Sequence, residues 1–275
     1  MKSNFASKML LPVITAVVAM NFTACTKESE PIITPATPVV SSNQNNLPHG
    51  VTNINYSVQV VPLGTTASGK SAGLLGATVT IQFNGSQTKT VTVDQSGIAV
   101  FSNVSPGQIS GYVKAAGFSA INYTATLSSS NTVDINHTDY ATSTIYLLKE
   151  NSSVSGRIFG DYDLDGNVNV NQATNFQAVN LRVAYDLSSY PVGSGSGALT
   201  SVSMDTTIYK VTSDIGGNFT FNNIPTTLQG VTAKLSMAQI KKTNSSGGTV
   251  VFDLAPFAVK LNPEETTLVG DKQAF

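Results

Sequence analysis

The run Asp161-Tyr162-Asp163-Leu164-Asp165-Gly166-Asn167-Val168-Asn169 is the part of the chain best equipped for chemistry. Carboxylates at alternate positions followed by glycine are how a short loop wraps oxygen ligands around calcium. Asp161, Asp163 and Asp165 would supply carboxylates, and Gly166 would allow the sharp turn. Asn167 would offer its backbone carbonyl, and Asn169 would act directly or through water. The twelfth position is Gln172, not a bidentate Glu. That removes a charge and a ligand, so the expected affinity is modest, at ~10⁻⁴–10⁻³ M as in extracellular modules. The same three aspartates would also shape an exposed turn with no ion. A second group is aromatic: Tyr162, Tyr185, Tyr190 and Tyr209 fall in the C-terminal half and would serve a glycan surface if exposed.

Other chemistries are poorly supplied. The one cysteine allows no intrachain disulfide, and His49 and His137 lack the Cys or His neighbours of a zinc site. There is no Gly-x-Ser-x-Gly elbow, no phosphate-binding Gly-Lys loop and no His-Glu-x-x-His. The acidic residues gather in the aspartate loop, near the N-terminus and at Glu264-Glu265, so no catalytic residues are assigned and no enzyme is expected. A net charge of −1 argues against a nucleic-acid partner held through phosphates.

Cys25 has a different role. Lys2 and Lys8 precede the apolar stretch Met9–Met20, which is too short to span a bilayer at ~20 residues. The stretch ends in Phe22-Thr23-Ala24-Cys25. This resembles the bacterial lipoprotein lipobox, in which a peptidase cuts before the cysteine and the cysteine carries fatty acyl chains, palmitate among them. The resemblance implies a signal peptide over 1–24, lipidation at Cys25 and an outer-membrane lipid anchor. Thr26-Lys27-Glu28-Ser29-Glu30 resembles the surface-export signal of Bacteroidota lipoproteins, which implies display at the cell surface. Pro31, Pro35, Pro38 and Pro48 stand among polar residues before Asn53, so 25–53 is expected to be a flexible tether.

The elements that follow are strands. Charged residues are only 11% while Ser, Thr, Asn, Gly and Val are abundant, which suits strands and turns and suits helices poorly. Alternation predicts strands at 54–60, 77–83, 88–93, 98–101, 111–115, 121–127 and 144–148, with a tight hairpin at Asn84-Gly85. Later strands are expected at 231–237 and 250–261, and Pro191–Gly197 as an exposed loop. The fold class is therefore all-β, as two tandem antiparallel β-sandwiches over 54–150 and 154–275.

One signature occurs twice. Asp94-Gln95-Ser96-Gly97-Ile98-Ala99-Val100-Phe101-Ser102-Asn103-Val104 matches Asp214-Ile215-Gly216-Gly217-Asn218-Phe219-Thr220-Phe221-Asn222-Asn223-Ile224 at the same spacing. With Pro106-Gly107 and Ala116-Gly117-Phe118, the first copy resembles the carboxypeptidase regulatory-like family, whose fold is transthyretin-like and close to Ig-like. That family is non-catalytic where it accompanies peptidases. The second copy, with the aspartate loop near its start, resembles the B-type repeats of surface adhesins, which implies calcium. Those repeats often carry a Lys–Asn isopeptide bond; Arg157 stands where a lysine would be, so none is expected. Asp205-Thr206-Thr207 resembles a Bacteroidota O-glycosylation acceptor, with Thr206 the candidate. The function expected is that of a non-enzymatic surface lipoprotein for adhesion, assembly or ligand presentation. The alternative is a glycan-binding accessory protein of a polysaccharide-uptake system.

Overall fold

The computed structural model describes residues 26–28, 53–64, 73–128, 138–167, 178–192 and 196–275. The expected signal peptide, Cys25, the rest of the tether, Asn169 and Gln172 lie outside the described residues. Every regular element among the described residues is a strand. No described helix is long and apolar enough to cross a membrane.

The first sandwich uses β2 (Asn53–Pro62), β3 (Thr78–Phe83), β4 (Gln87–Thr92), β5 (Ile98–Val104), β6 (Gly107–Lys114), β7 (Ile121–Leu127) and β8 (Thr138–Leu147). One sheet runs β4-β3-β6-β7 and is antiparallel. The other runs β5-β2-β8, with β2 and β8 parallel. Period-two alternation decides the faces. Val79, Ile81 and Phe83 of β3 are buried and meet Tyr56, Val58 and Phe101 in one core. Asn84 and Gly85 both take positive φ, 49° and 75°, as the predicted hairpin requires.

The second sandwich repeats this plan strand for strand. Its elements are β9 (Glu150–Phe159), β10 (Ala178–Val183), β12 (Thr207–Thr212), β13 (Asn218–Pro225), β14 (Val231–Met237), β17 (Phe257–Leu261) and β18 (Thr266–Gln273). Its sheets run β12-β10-β14-β17 and β13-β9-β18, again with one parallel pair, β9 with β18. Val154, Leu181, Tyr209, Phe221 and Leu235 lie in a separate core. The repeated signature is built alike in both. The Asp94 carboxylate accepts from the backbone N–H of Ser96 and Ile98 at 2.8 and 3.1 Å. That of Asp214 accepts from Gly216 and Asn218, both at 2.8 Å. Gly97 and Gly217 sit at φ 80° and 79°. A Cβ on Gly217 would lie 2.0 Å from the carbonyl oxygen of Ile158, so only glycine fits.

Three additions depart from the repeat. β1 (Thr26–Glu28) pairs with the outer edge of β12. β15 (Ile240–Thr243) and β16 (Thr249–Phe252) form a separate hairpin. The predicted strand 250–261 is thus two strands in different sheets. Pro256 lies in the break between them, where its missing N–H deprives no ladder. The third addition, β11 (Ala198–Ser203), lies between β10 and β12 in sequence but joins the first sandwich, antiparallel to β7. Pro191–Gly197, expected as an exposed loop, leads into that strand. Its last residue, Gly197, is buried, with the Thr142 backbone so close that a Cβ would lie 2.7 Å from its carbonyl oxygen.

Candidate metal centre

The aspartate loop is placed by what precedes it. β9 ends at Phe159, and Tyr162 turns inward, 2% exposed. Its ring stacks edge-on against Phe252 at 5.0 Å, and its hydroxyl donates to the Met237 sulfur at 3.9 Å. Burial pushes that hydroxyl's pKa up to about 12. Tyr162 therefore works as a plug that pins the loop to the second core. Its neighbours Asp161 and Asp163 are turned outward, half-buried and exposed respectively.

The loop then folds around Asp161. One oxygen of its carboxylate accepts from the N–H of Asp165 at 3.1 Å, the other from Gly166 at 3.0 Å. The Asp165 carboxylate accepts from the N–H of Asn167 at 2.7 Å. Leu164 and Gly166 take positive φ, 62° and 87°, and Leu164 does so without a glycine's freedom. One oxygen from each of Asp161, Asp163 and Asp165 lies within 4.8 Å of the others. Oxygens bound to calcium at ~2.3–2.6 Å stand no farther apart than ~5 Å across the ion, so this spacing fits calcium. Three carboxylates this close repel one another, which a dication would relieve. Of the other predicted ligands, Asn167 is exposed at the end of the described loop.

The four tyrosines form no binding surface. Tyr162, Tyr190 and Tyr209 are buried, at 2%, 7% and 1% exposure. Tyr185 is partly buried and packs against both cores. Desolvation pushes its hydroxyl far above the usual phenol range, with the Tyr209 hydroxyl and the Glu150 carboxylate adding to the effect. Their expected role as exposed ligand contacts is corrected by position: Tyr162 and Tyr209 serve the second core, Tyr190 the first, and Tyr185 the space between. The glycan-binding alternative loses the aromatics it rested on. Thr206 is exposed in the link between β11 and β12, where an enzyme could reach it.

Sequence reasoning missed a buried polar chain in the first sandwich. The Tyr56 hydroxyl donates to Ser143 at 2.7 Å, and Ser143 donates to the Gly197 carbonyl at 2.5 Å. Burial pushes Tyr56 up to about 12, against the opposing hydrogen bonds to Ser143 and Tyr123. Ser143 and Gly197 are 54 residues apart, so no local pattern connects them.

No family model and no curated protein matches the chain. Among solved structures it is similar to the minor pilin GBS52 of Streptococcus agalactiae, at 11% identity and a TM-score of 0.42, over 81% of this chain and 97% of that one. It is also similar to a streptococcal ancillary pilin, at 15% identity and a TM-score of 0.34, over 82% of this chain and 63% of that one. A third is the major pilin subunit BcpA of Bacillus cereus, at 8% identity and a TM-score of 0.29, over 81% of this chain and 99% of that one.

Proposed function

We propose that this chain is a non-enzymatic surface lipoprotein, anchored in the outer membrane through lipid on Cys25, whose paired sandwiches act in adhesion or assembly. The observation that carries this reading is the economy of the described residues. Most of their strands go into two sandwiches of one plan, and the one group of three acidic side chains among them close enough to share a metal lies in a loop at one end. Calcium held by Asp161, Asp163 and Asp165 would brace that loop between the plug at Tyr162 and β10. Its task is mechanical: neutralising three clustered carboxylates and stiffening the connection between two strands of a load-bearing sandwich.

The test is a thermal melt of the lipid-free fragment Asn53–Phe275, with 10 mM calcium and with chelator. At the expected affinity, calcium stabilises by roughly 1.5–3 kcal/mol. The melting temperature rises several degrees, and Asp163→Ala or Asp165→Ala abolishes the rise. An identical melt in chelator would leave the loop as an ion-free turn and remove calcium from the proposal.

A further inference from the structure

We infer that the polypeptide just after Cys25 folds back onto the second sandwich, so that an anchor there holds that sandwich nearest the membrane. The first sandwich in sequence is then outermost. The anchoring half of this inference rests on the lipid reading above; the fold-back half rests on strand register.

β1 runs antiparallel to β12, with Thr26 opposite Lys210, Lys27 opposite Tyr209 and Glu28 opposite Ile208. The first residue of β1 therefore stands on the Val211–Thr212 side of β12. Beyond them is the Asp214 turn. That turn is tied to the far end of β9: Ile158 N–H donates to the Gly217 carbonyl at 2.9 Å, and Arg157 Nε to the Gly216 carbonyl at 2.8 Å. The aspartate loop leaves from the same end. The other end of β9, Glu150, is separated from β8 only by Leu148 and Lys149. β1 thus begins at the end of the second sandwich opposite its junction with the first.

The edge that β1 covers is the better buried of the two equivalent edges. Thr207, Tyr209 and Val211 of β12 are 6%, 1% and 5% exposed. The equivalent edge strand of the first sandwich, β4, has Lys89 and Val91 only half-buried at its inward positions. Reach is sufficient. Residues 29–52 span at most about 80 Å. That exceeds the ~33 Å length of β2, whose first residue, Asn53, lies at the end away from the second sandwich.

Two experiments divide the claim. In a fragment beginning at Thr26, Glu28→Cys with Ile208→Cys places thiols on register partners, within disulfide reach. Mild oxidation should close this pair within one chain at least about tenfold faster than Glu28→Cys with Thr88→Cys on β4, from the effective concentration of paired residues. Equal rates, or a disulfide-linked dimer, would overturn the fold-back. The lipidated protein is then placed in vesicles carrying a headgroup quencher, with a fluorophore at Ile215→Cys or at Ser86→Cys. Quenching at Ile215 and not at Ser86 is expected, and the reverse overturns the orientation. Acyl labelling that persists in Cys25→Ala would sink the anchor while leaving the disulfide result to stand alone.

Discussion

The two sandwiches share a strand order and differ at their edges. Each four-stranded sheet carries a fifth strand, but on opposite sides. The first is extended at β7 by β11; the second is extended at β12 by β1. Neither added strand comes from the sandwich it completes. An open strand edge presents unpaired backbone groups and invites unwanted pairing. Here one such edge is closed by a strand lent from the neighbouring repeat. The connection from first to second strand also differs. In the first sandwich it links β2 to β3; in the second it links β9 to β10 and carries the aspartate loop. A common frame thus tolerates change at edges and connections, while the Asp-x-x-Gly turns and alternating cores stay alike.

The borrowed strand sets the largest expected effect. Leu199 and Tyr190 are buried in the first core, yet both come from the segment between β10 and β12. Thr124 of β7 is hydrogen-bonded to Thr200 at 2.6 Å and Ser201 at 2.7 Å. A fragment 53–150 loses all of this and leaves Ser143 without the Gly197 carbonyl. At ~1.5–3 kcal/mol per buried side chain, the two apolar losses alone cost about 3–6 kcal/mol. That is a large share of the ~5–15 kcal/mol that holds a domain together. Urea unfolding should show the fragment far weaker than the whole protein, and a synthetic peptide 184–205 should restore part of the difference. A fragment that unfolds at the same urea concentration as the intact chain would make the loan ornamental.

Tyr190 sharpens the same comparison at one residue. Its hydroxyl accepts from the Tyr146 N–H and donates to the Tyr146 carbonyl at 2.9 Å, and the two rings meet edge-on at 5.9 Å. Tyr190→Ala should cost about 3–5 kcal/mol, as removal of a large buried aromatic does. Tyr190→Phe keeps the ring and should cost about 1 kcal/mol. The loss should appear in amide exchange of β7 and β8 and not of β14 and β17. Equal loosening of both sandwiches would mean that the arm couples them into one cooperative unit.

What the sequence made legible follows from the range of the interactions. Alternation placed Val79, Ile81 and Phe83 on one buried face, and Val231–Met237 came out with its observed bounds. The Asp-x-x-Gly turns were legible because their hydrogen bonds close within four residues. The turn around Asp161 is local too, its hydrogen bonds closing within five residues. The destination of β11 was not, because Ala198–Ser203 pairs with residues more than 70 positions away. The tyrosines were misplaced because composition gives no depth. Tyr209 alternates inward on β12, and Tyr162 turns under its own loop to fill the space against Phe252.

The two cap aspartates give the smallest effect and test how far the repeats are equivalent. Asp94 is held below the ordinary carboxylate range by hydrogen bonds from the Ser96 hydroxyl and the Ile98 N–H. At Asp214, burial acts to raise the pKa, but hydrogen bonds from Asn218 and Gly216 and the Arg157 charge outweigh it and lower it. A lowered folded-state pKa means both turns contribute fully above the unfolded value near ~3.9 and lose that contribution as pH falls through the folded values. Asp214 accepts from the Asn218 side chain on both its oxygens, at 3.1 and 2.9 Å, where Asp94 accepts one side-chain bond, from the Ser96 hydroxyl at 2.5 Å. Asp214→Ala should therefore lower the melting temperature at pH 7 by a few degrees, the response to about 1 kcal/mol in a chain of this size. Asp94→Ala should lower it less. In both variants the deficit should shrink below pH 4, where the native carboxylates are also becoming protonated. A deficit that stays constant from pH 7 to pH 3 would show that the aspartates hold these turns by hydrogen bonds that do not depend on their charge.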